Sequence, residues 1–404
     1  MPRILEGIRV VDWSVLQVGP YAAAMLADLG ADVIHVEEPV QGDQLRGVKT
    51  QYGMSLETPQ GRQVLFEEHN RNKRGLALDL RTAKGREIMY RLLHSADIFL
   101  TNFRTQAVAR VGLDYETLKA RNPRLIYAHA TGFGPKGPDA DSPSIDLIGQ
   151  ARSGAMLASG EEGMPPIFLT LGIGDRITSY VLAYGMLAAI IARERHGVGQ
   201  KVETSQLAAM TLIQGNELMP VLLLNKALPR HSHTCPPRNA LYNYYRCKDD
   251  RWIVLACWQD HYWPTLCKGI GRPELQHDPR FADFDIRLDN REALVAILDE
   301  VFLAKTSEEW YRALKEAGDL MFTLVNRMDD LPSDPQLLAN DYITTWDHPV
   351  LGRVKWPGFV AHFSETPAEI RTPAPELGEH SEEILLELGY DWDAIVQLRE
   401  EGVI

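Results

Sequence analysis

The chain has 404 residues, of which 45% are hydrophobic and 24% charged, so it exceeds one ordinary core and we expect two or three domains. Its net charge of −13 argues against binding to nucleic acid or to anionic membranes, although a local basic cluster can still bind an anionic small molecule. Met1–Glu6 lacks the apolar core of a signal peptide, and none of the four cysteines forms a CxxC pair. We therefore expect a cytoplasmic protein with reduced thiols and no zinc site.

Strands and helices alternate along the first third of the chain. Strand-helix-strand units of this length imply parallel strands joined by right-handed crossovers. The pattern predicts an α/β fold with a doubly wound sheet. The predicted strands are 7–13, 31–36, 76–80, 96–100 and 124–130, and the predicted helices are 21–29, 82–95 and 115–121.

The longest apolar run, Ile177–Ala192, is shorter than the roughly 20 residues that span a bilayer, so we predict a buried core helix. A strand at Lys201–Ser205 follows, and then a linker rich in proline and histidine. A smaller α+β segment comes next, with a strand at 251–256 and helices at 291–302 and 308–317. Two short helices end the chain, for which Ser381 and Asp391 are the predicted N-caps.

The loop after the first strand, Gln17–Pro20, stands where a dinucleotide-binding protein carries its glycine fingerprint. It has no GxGxxG spacing, and Pro20 has no N–H to donate to a pyrophosphate, so we do not expect NAD or FAD. The later glycine loop, Gly132–Pro138, also lacks the spacing and is typical of consecutive turns.

One acidic residue, Asp175, lies between a glycine-flanked loop and the long apolar helix. An aspartate at this point can cap the helix by accepting backbone N–H bonds, or it can attack an electrophile. The local residues alone leave both roles open.

Short segments spread in order over almost the whole chain together resemble the class III CoA-transferase family (CaiB/BaiF type), which includes formyl-CoA and carnitine CoA-transferases. Each segment is weak evidence alone, but the ordered set is specific. The segments are Gln17–Tyr21, Leu26–Ile34, Gly42–Arg46, Asn70–Arg74, Leu78–Leu80, Asn102–Arg104, Arg110–Gly112, Gly174–Asp175 and Leu377–Ser381.

The resemblance implies a catalytic role for Asp175, which would attack an acyl-CoA thioester and pass through an acyl-aspartyl anhydride and an aspartyl-CoA thioester. We expect the helix start to keep this carboxylate ionised. Gly174 and the neighbouring Gly172 would leave room for the substrate and offer N–H groups to an oxyanion. Gln17 would lie over the carboxylate, and Asp146, a second acid nearby, would raise the apparent pKa of the pair.

The resemblance also implies a coenzyme A site, because arginine and lysine can neutralise the phosphates of CoA. A solvated surface patch is the alternative explanation for the basic run. Asn102 and Phe103 match a segment near the adenine, where an aromatic ring can stack. The candidate CoA-binding residues are Arg46, Arg71, Asn72, Lys73, Arg74, Asn102, Phe103, Arg104 and Arg110. No metal is expected.

The family further implies an interlocked homodimer and a Rossmann-like large domain. We predict that residues 1–225 begin the large domain, 226–329 form the small domain and 330–404 return to the large one. The segment Pro236–Tyr245 contains no glycine, unlike the glycine run of formyl-CoA transferases, so oxalate is not the expected acceptor. The aromatic residues of this part either form core or line a pocket for a larger acid; they are Tyr242, Tyr244, Tyr245, Trp258, Tyr262 and Trp263.

Three other functions remain open: a 2-methylacyl-CoA racemase, one subunit of a hetero-oligomeric transferase, or a CoA-binding module without chemistry. Racemases of this superfamily carry a His-Asp pair where this chain has Ile145–Asp146. Because an isoleucine has no proton to exchange, racemisation is disfavoured.

Overall fold

Six parallel strands form the central sheet of the computed structural model, which describes residues 2–404, and their order is β5-β2-β1-β6-β7-β8. The order reverses between β1 and β6, so the loops after these two strands diverge and leave a crevice at the carboxyl edge of the sheet. The strands are β1 (Arg9–Trp13), β2 (Asp32–Glu37), β3 (Thr50–Gln51), β4 (Met54–Ser55), β5 (Lys73–Ala77), β6 (Ile98–Thr101), β7 (Ile126–Thr131), β8 (Lys201–Ser205), β9 (Tyr242–Arg246), β10 (Trp252–Ala256), β11 (Phe322–Leu324), β12 (Ile343–His348) and β13 (Gly352–Pro357).

Helices cover both faces of this sheet. One face packs on α1 and α8 through side chains such as Leu26 and Met186, and the other packs on α3, α5, α16 and α17 through side chains such as Ile88 and Ile384. The helices are α1 (Val18–Asp28), α2 (Val64–Asn70), α3 (Ala83–His94), α4 (Thr105–Arg110), α5 (Tyr115–Arg121), α6 (Asp146–Arg152), α7 (Ala155–Ala158), α8 (Ile173–His196), α9 (Gln206–Leu212), α10 (Gly215–Leu224), α11 (Trp263–Gly269), α12 (Phe284–Asp289), α13 (Arg291–Phe302), α14 (Ser307–Ala317), α15 (Pro335–Ala339), α16 (Ser381–Glu387) and α17 (Trp392–Glu400).

Helix α8 is, within residues 2–404, the single helix long and apolar enough to cross a membrane by length and composition; α9 and α10 pass the same test only as a pair bent by 81°. The buried side of α8 belongs to the core, because Leu182, Met186 and Ile190 pack with α1 and the sheet. This packing accounts for the apolar run from which a core helix was predicted.

The chain forms two compact units. The first contains Met1–Met156, Phe168–Leu218 and Asn340–Ile404, and the second contains Leu157–Ile167 and Met219–Ala339. The predicted boundaries, after residues 225 and 329, differ from these by several residues, and no sequence pattern indicated that residues 157–167 group with the second unit.

The second unit is an α+β fold with the antiparallel sheet β11-β10-β9. Its core gathers side chains from the sheet and from α11, α13 and α14. Of the aromatic residues that were predicted to form either core or a pocket for a larger acid, Tyr245 and Trp263 are buried in this core, whereas 44% of Tyr242 is exposed. The core explanation therefore holds for the first two and not for Tyr242.

The terminal segment is bound to the first unit through Asn72, which has a left-handed backbone with φ of 64°. Its side-chain amide donates to the Asp28 carboxylate at 2.8 Å and to the Glu369 carbonyl at 2.7 Å, and its oxygen accepts from the Arg371 and Thr372 N–H groups. Asn72, expected at the CoA site, is thus used to hold the returning chain.

Two local predictions were wrong. Strand β5 begins at Lys73 instead of residue 76. A search for apolar runs does not include a charged residue such as Lys73, which in the structure is buried and paired with Asp12. Ser381 does not cap α16, since its hydroxyl accepts from the Ala77 N–H and so binds strand β5; Asp391 does cap α17, as predicted.

We expect Asn72→Ala to lower the free energy of unfolding by about 2–4 kcal/mol, because it removes the hydrogen bonds to the tail and leaves alanine in a left-handed conformation that asparagine tolerates better. Urea denaturation followed by circular dichroism measures this change. Asn72→Gly is the matched control: it loses the same bonds but tolerates the backbone, and should recover roughly 1 kcal/mol. Equal midpoints for wild type and Asn72→Ala would contradict the assignment.

Candidate active site

The start of α8 carries the predicted nucleophile. The helix begins at Ile173, and its N-cap is Gly172, whose φ of 76° favours glycine and which offers no side chain to cap the helix. Asp175 is the third helical residue and not the cap. The N–H groups of the first turn therefore need an acceptor from elsewhere in the chain.

That acceptor is Asp146, a buried residue at the start of α6. Its carboxylate accepts from the N–H of Gly172 at 3.0 Å, of Gly174 at 2.7 Å and of Asp175 at 3.3 Å, and from the Gln150 side chain at 2.7 Å. The capping role considered for Asp175 thus belongs to Asp146. From the sequence, we expected the two glycine N–H groups to bind an oxyanion. They instead donate to the Asp146 carboxylate and are not available for that role.

The Asp175 carboxyl is partly buried, and the side-chain amide of Gln206 donates to its Oδ1. Burial is the main cause that raises its pKa to about 7, and the negative charge of Asp146 adds to it, while Gln206 and Arg176 oppose the rise. We expected the start of the helix to keep Asp175 ionised. Burial instead raises its pKa, so the carboxyl is not fully ionised. Near neutral pH the protonated and ionised forms coexist.

Gln17 lies beside the start of α8, with its Nε2 3.5 Å from the Gly172 carbonyl oxygen. It follows β1 in a loop whose preceding residue, Leu16, has a left-handed φ of 64°. Leu16 donates its N–H to the Asp43 carboxylate at 2.9 Å, and its carbonyl oxygen lies 3.1 Å from Nδ1 of His69. Two buried polar side chains thus fix the loop that presents Gln17.

Asn102 holds the same loop. Its side-chain oxygen accepts from the Val15 N–H at 2.9 Å, and its amide donates to the Val15 carbonyl at 2.7 Å. This residue, expected near the adenine, therefore supports the Gln17 loop.

Most cations of the predicted CoA site are paired with carboxylates of this chain. Lys73 is buried and donates at 2.8 Å to Asp12, to Asn70 and to the Pro20 carbonyl, which uses all its N–H groups. The other pairs are Arg71 with Asp28, Arg74 with Asp32, Glu383 and Glu387, and Arg46 with Glu37. Arg71 and Lys73 are buried, so they do not belong to a solvated surface patch, and each of these four cations is paired within the chain.

Two predicted cations remain unpaired. Arg104 precedes α4 and Arg110 is its last residue; both are exposed, and neither forms an ion pair with any residue from 2 to 404. Nearby, a cavity of about 300 Å³ lies at the carboxyl ends of β1 and β2. Its walls include Trp13 and Phe103, whose ring centroids are 4.5 Å apart. Phe103 is thus placed in the crevice where the strand order reverses.

The chain matches the family model of CoA-transferase family III over residues 5–381. The chain belongs to this family. It is similar to the (R)-2-hydroxy-4-methylpentanoate CoA-transferase of Clostridioides difficile, with 35% identity over 99% of both chains. It is also similar to the succinyl-CoA–L-malate CoA-transferase beta subunit of Chloroflexus aurantiacus, with 32% identity over 99% of this chain and 98% of the other.

A crystal structure of a CaiB/BaiF family protein from Brucella suis has the same fold, with a TM-score of 0.85 and 31% identity over 96% of this chain and 100% of that one. The family and these relatives make this chain an enzyme that transfers coenzyme A, and CoA thioesters are its substrates. No group of three or more histidine, cysteine, aspartate or glutamate side chains among residues 2–404 is placed to hold a metal ion.

Sequence reasoning missed Gln206 and Ser144 in this transferase. Gln206 directly follows β8, and the carboxyl ends of parallel strands are where sites of α/β enzymes form. That position was the available signal. Ser144 carries no such signal, because it lies in an irregular loop and meets Gln206 from 62 residues away.

Asp175 should make the stability of the transferase depend on pH. Its pKa in the folded chain, about 7, lies above the ordinary 3.8, so its stabilising contribution is complete below about pH 4 and is lost as pH rises through 7. Asp175→Asn removes this loss. We expect its free energy of unfolding relative to wild type to rise between about pH 4 and pH 7, by at most about 4 kcal/mol, and to level off above pH 7.

Urea unfolding at several pH values measures this difference. Asp289→Asn, an exposed change at the end of α12, is the control and should show a small, pH-independent difference. A constant offset between wild type and Asp175→Asn at all pH values would contradict the raised pKa.

Proposed function

We propose that this transferase moves coenzyme A from an acyl-CoA donor, such as succinyl-CoA, to a carboxylic acid acceptor through covalent intermediates on Asp175. The position of the Asp175 carboxyl carries the proposal. One oxygen accepts from Gln206, and the other, Oδ2, has no hydrogen-bond partner among residues 2–404. A partly buried carboxylate with one free oxygen is a suitable nucleophile for a thioester.

The reaction consists of four exchanges. Asp175 attacks the thioester carbonyl, which forms an acyl-aspartyl anhydride and releases the CoA thiolate. The thiolate attacks the aspartyl carbonyl, which releases the donor acid and forms an aspartyl-CoA thioester. The acceptor carboxylate then attacks this thioester and expels the thiolate again. Finally the thiolate attacks the acceptor acyl carbon of the new anhydride, which yields the product thioester and frees Asp175.

Each of these intermediates is hydrolysed if water reaches it, so the site must orient the carbonyl groups and exclude water. The side chain of Gln17, held beside the start of α8, can donate its amide hydrogens to a carbonyl oxygen as charge develops there. Asp146 has a different role, because its oxygens accept the N–H groups of the helix. It shapes the site but does not transfer protons.

The crevice at the carboxyl edge of the sheet suits the adenine end of CoA. Phe103 and Trp13 offer aromatic surface in its cavity, and Arg104 directly follows Phe103. We assign Arg104 and Arg110 to the CoA phosphates because their guanidinium groups are exposed and lack ion pairs within residues 2–404. The basic residues from 71 to 74, and Arg46, instead stabilise the fold.

The racemase alternative is not supported by the arrangement at residues 145 and 146. Racemisation needs two acid-base groups on opposite sides of a carbon atom. Ile145 has no proton to exchange and 62% of it is exposed, and Asp146 is occupied by the helix start.

For the assembly we propose an interlocked homodimer in which the large domain is Rossmann-like. Exposed apolar side chains on α8 and α10 support an interface, because Tyr184 and Leu223 are 74% and 73% exposed. A heteromer is the competing assembly, since one relative is named as a beta subunit. Light scattering on the purified chain should give twice 45.4 kDa, with activity present; an inactive monomer would favour the heteromer.

Asp175→Ala should abolish CoA exchange without loss of the fold, because Asp146, the neighbouring carboxylate among residues 2–404, has hydrogen bonds to both of its oxygens. Exchange between succinyl-CoA and a panel of organic acids, read by mass spectrometry, measures activity, and hydroxylamine trapping should modify Asp175 in wild type only. Asp289→Ala should behave as wild type. Full exchange by Asp175→Ala would exclude the covalent mechanism.

Arg104→Ala and Arg110→Ala should each raise KM for the acyl-CoA roughly tenfold with little change in kcat, because a charge-assisted bond to phosphate is lost. Donors with and without the 3′-phosphate distinguish the contacts: the effect disappears with the dephospho donor if that phosphate is the partner. Arg312→Ala, an exposed arginine of the second unit, is the control. An unchanged KM in both variants would remove these residues from the CoA site.

A further inference from the structure

We propose that Gln206, held by Ser144, is a positioning residue that binds one oxygen of the Asp175 carboxylate and leaves the other to attack the thioester. This inference rests on the proposed function, because it assigns the orientation of the nucleophile.

Gln206 is the first residue of α9, and only 5% of it is exposed. Both ends of its side-chain amide are used within the site. The nitrogen donates to Oδ1 of Asp175, and the oxygen accepts from the Ser144 hydroxyl at 2.6 Å. The three side chains therefore form a continuous hydrogen-bonded chain from Ser144 to the nucleophile.

The direction of this chain follows from the groups it joins. An ionised carboxylate only accepts, so the amide must turn its nitrogen toward Asp175 and its oxygen toward Ser144. A hydroxyl can donate to that oxygen, which holds the amide in this orientation. The arrangement thus matches the ionised, nucleophilic form of Asp175.

Two glycines make room for the pair. A β-carbon on Gly132 would lie 2.2 Å from the β-carbon of Ser144, and one on Gly149 would lie 3.1 Å from that of Gln206. Strands β7 and β8 also bring the two loops together, since Thr131 pairs with Ser205 at their carboxyl ends. The position of the amide is therefore built into the fold.

The hydrogen bond from Gln206 has two consequences for the Asp175 carboxylate: it determines which oxygen is free to react, and it lowers the affinity of the carboxylate for a proton. With Oδ1 bound by the amide, Oδ2 is the oxygen without a partner among the described residues, 2–404. The same bond lowers the pKa of Asp175 against the effects of burial and of Asp146. Loss of the amide should therefore leave a nucleophile that ionises only at higher pH.

The test is the pH dependence of kcat/KM in wild type, Gln206→Met and Ser144→Ala. Methionine keeps the length of glutamine without the amide, so Gln206→Met should move the ascending limb upward by about one pH unit and regain activity at alkaline pH. Ser144→Ala should shift it in the same direction by less. KM for the acyl-CoA should change little in either variant.

Gln63→Met is the matched control, since Gln63 is another buried glutamine, 8% exposed, with bonds to the Val48 carbonyl and the Phe66 N–H. It should lose stability without any shift of the pH profile. A Gln206→Met profile that superimposes on wild type, or is reduced equally at every pH, would overturn the inference. An unshifted Gln206→Met profile does not affect the proposed function if Asp175→Ala is inactive in the same assay. If Asp175→Ala retains exchange, the proposed function itself is wrong.

Discussion

The buried carboxylate of Asp146 is the interaction on which the site depends. It accepts N–H groups from Gly172, Gly174 and Asp175, and so fixes where α8 begins and where Asp175 lies. The same negative charge raises the pKa of Asp175. Asp146 therefore both fixes the start of α8 and opposes ionisation of Asp175, and Gln206 and Arg176 compensate in part.

A second constraint is the pairing of buried charges on and beside strands β1 and β5 of the central sheet. Lys73 and Asp12 are both fully buried, and a cation in such a place is tolerated only when carboxylate and carbonyl oxygens replace water. Arg71 with Asp28 follows the same logic. Removal of one partner would leave an uncompensated charge, so these residues are tied to stability even though their types also suit a phosphate site.

The fold could be read from the sequence to a large extent because its elements have local signals. The helix Tyr115–Arg121 and the strand Lys201–Ser205 were predicted with the bounds that the structure has. Gln17 lies beside the Gly172 carbonyl, and Asp146 accepts the Asp175 N–H, so the three residues are all near the start of α8. The cap on α8 could not be read, because the acceptor lies 26 residues before Gly172 and no local pattern links them. The partners of Arg74 could not be predicted either, because Glu387 is 313 residues away in the sequence.

The unusual environment of Asp175 has a further meaning under the proposed mechanism. Burial and the charge of Asp146 both act against the ionised carboxylate, and neither acts against a neutral group at the same position. In the anhydride and in the thioester, Asp175 carries no charge. The surroundings that raise its pKa therefore stabilise the covalent intermediates relative to the free, ionised enzyme. An exchange that passes through three covalent aspartyl intermediates benefits from this balance, because neither the free carboxylate nor an intermediate becomes a deep energy minimum.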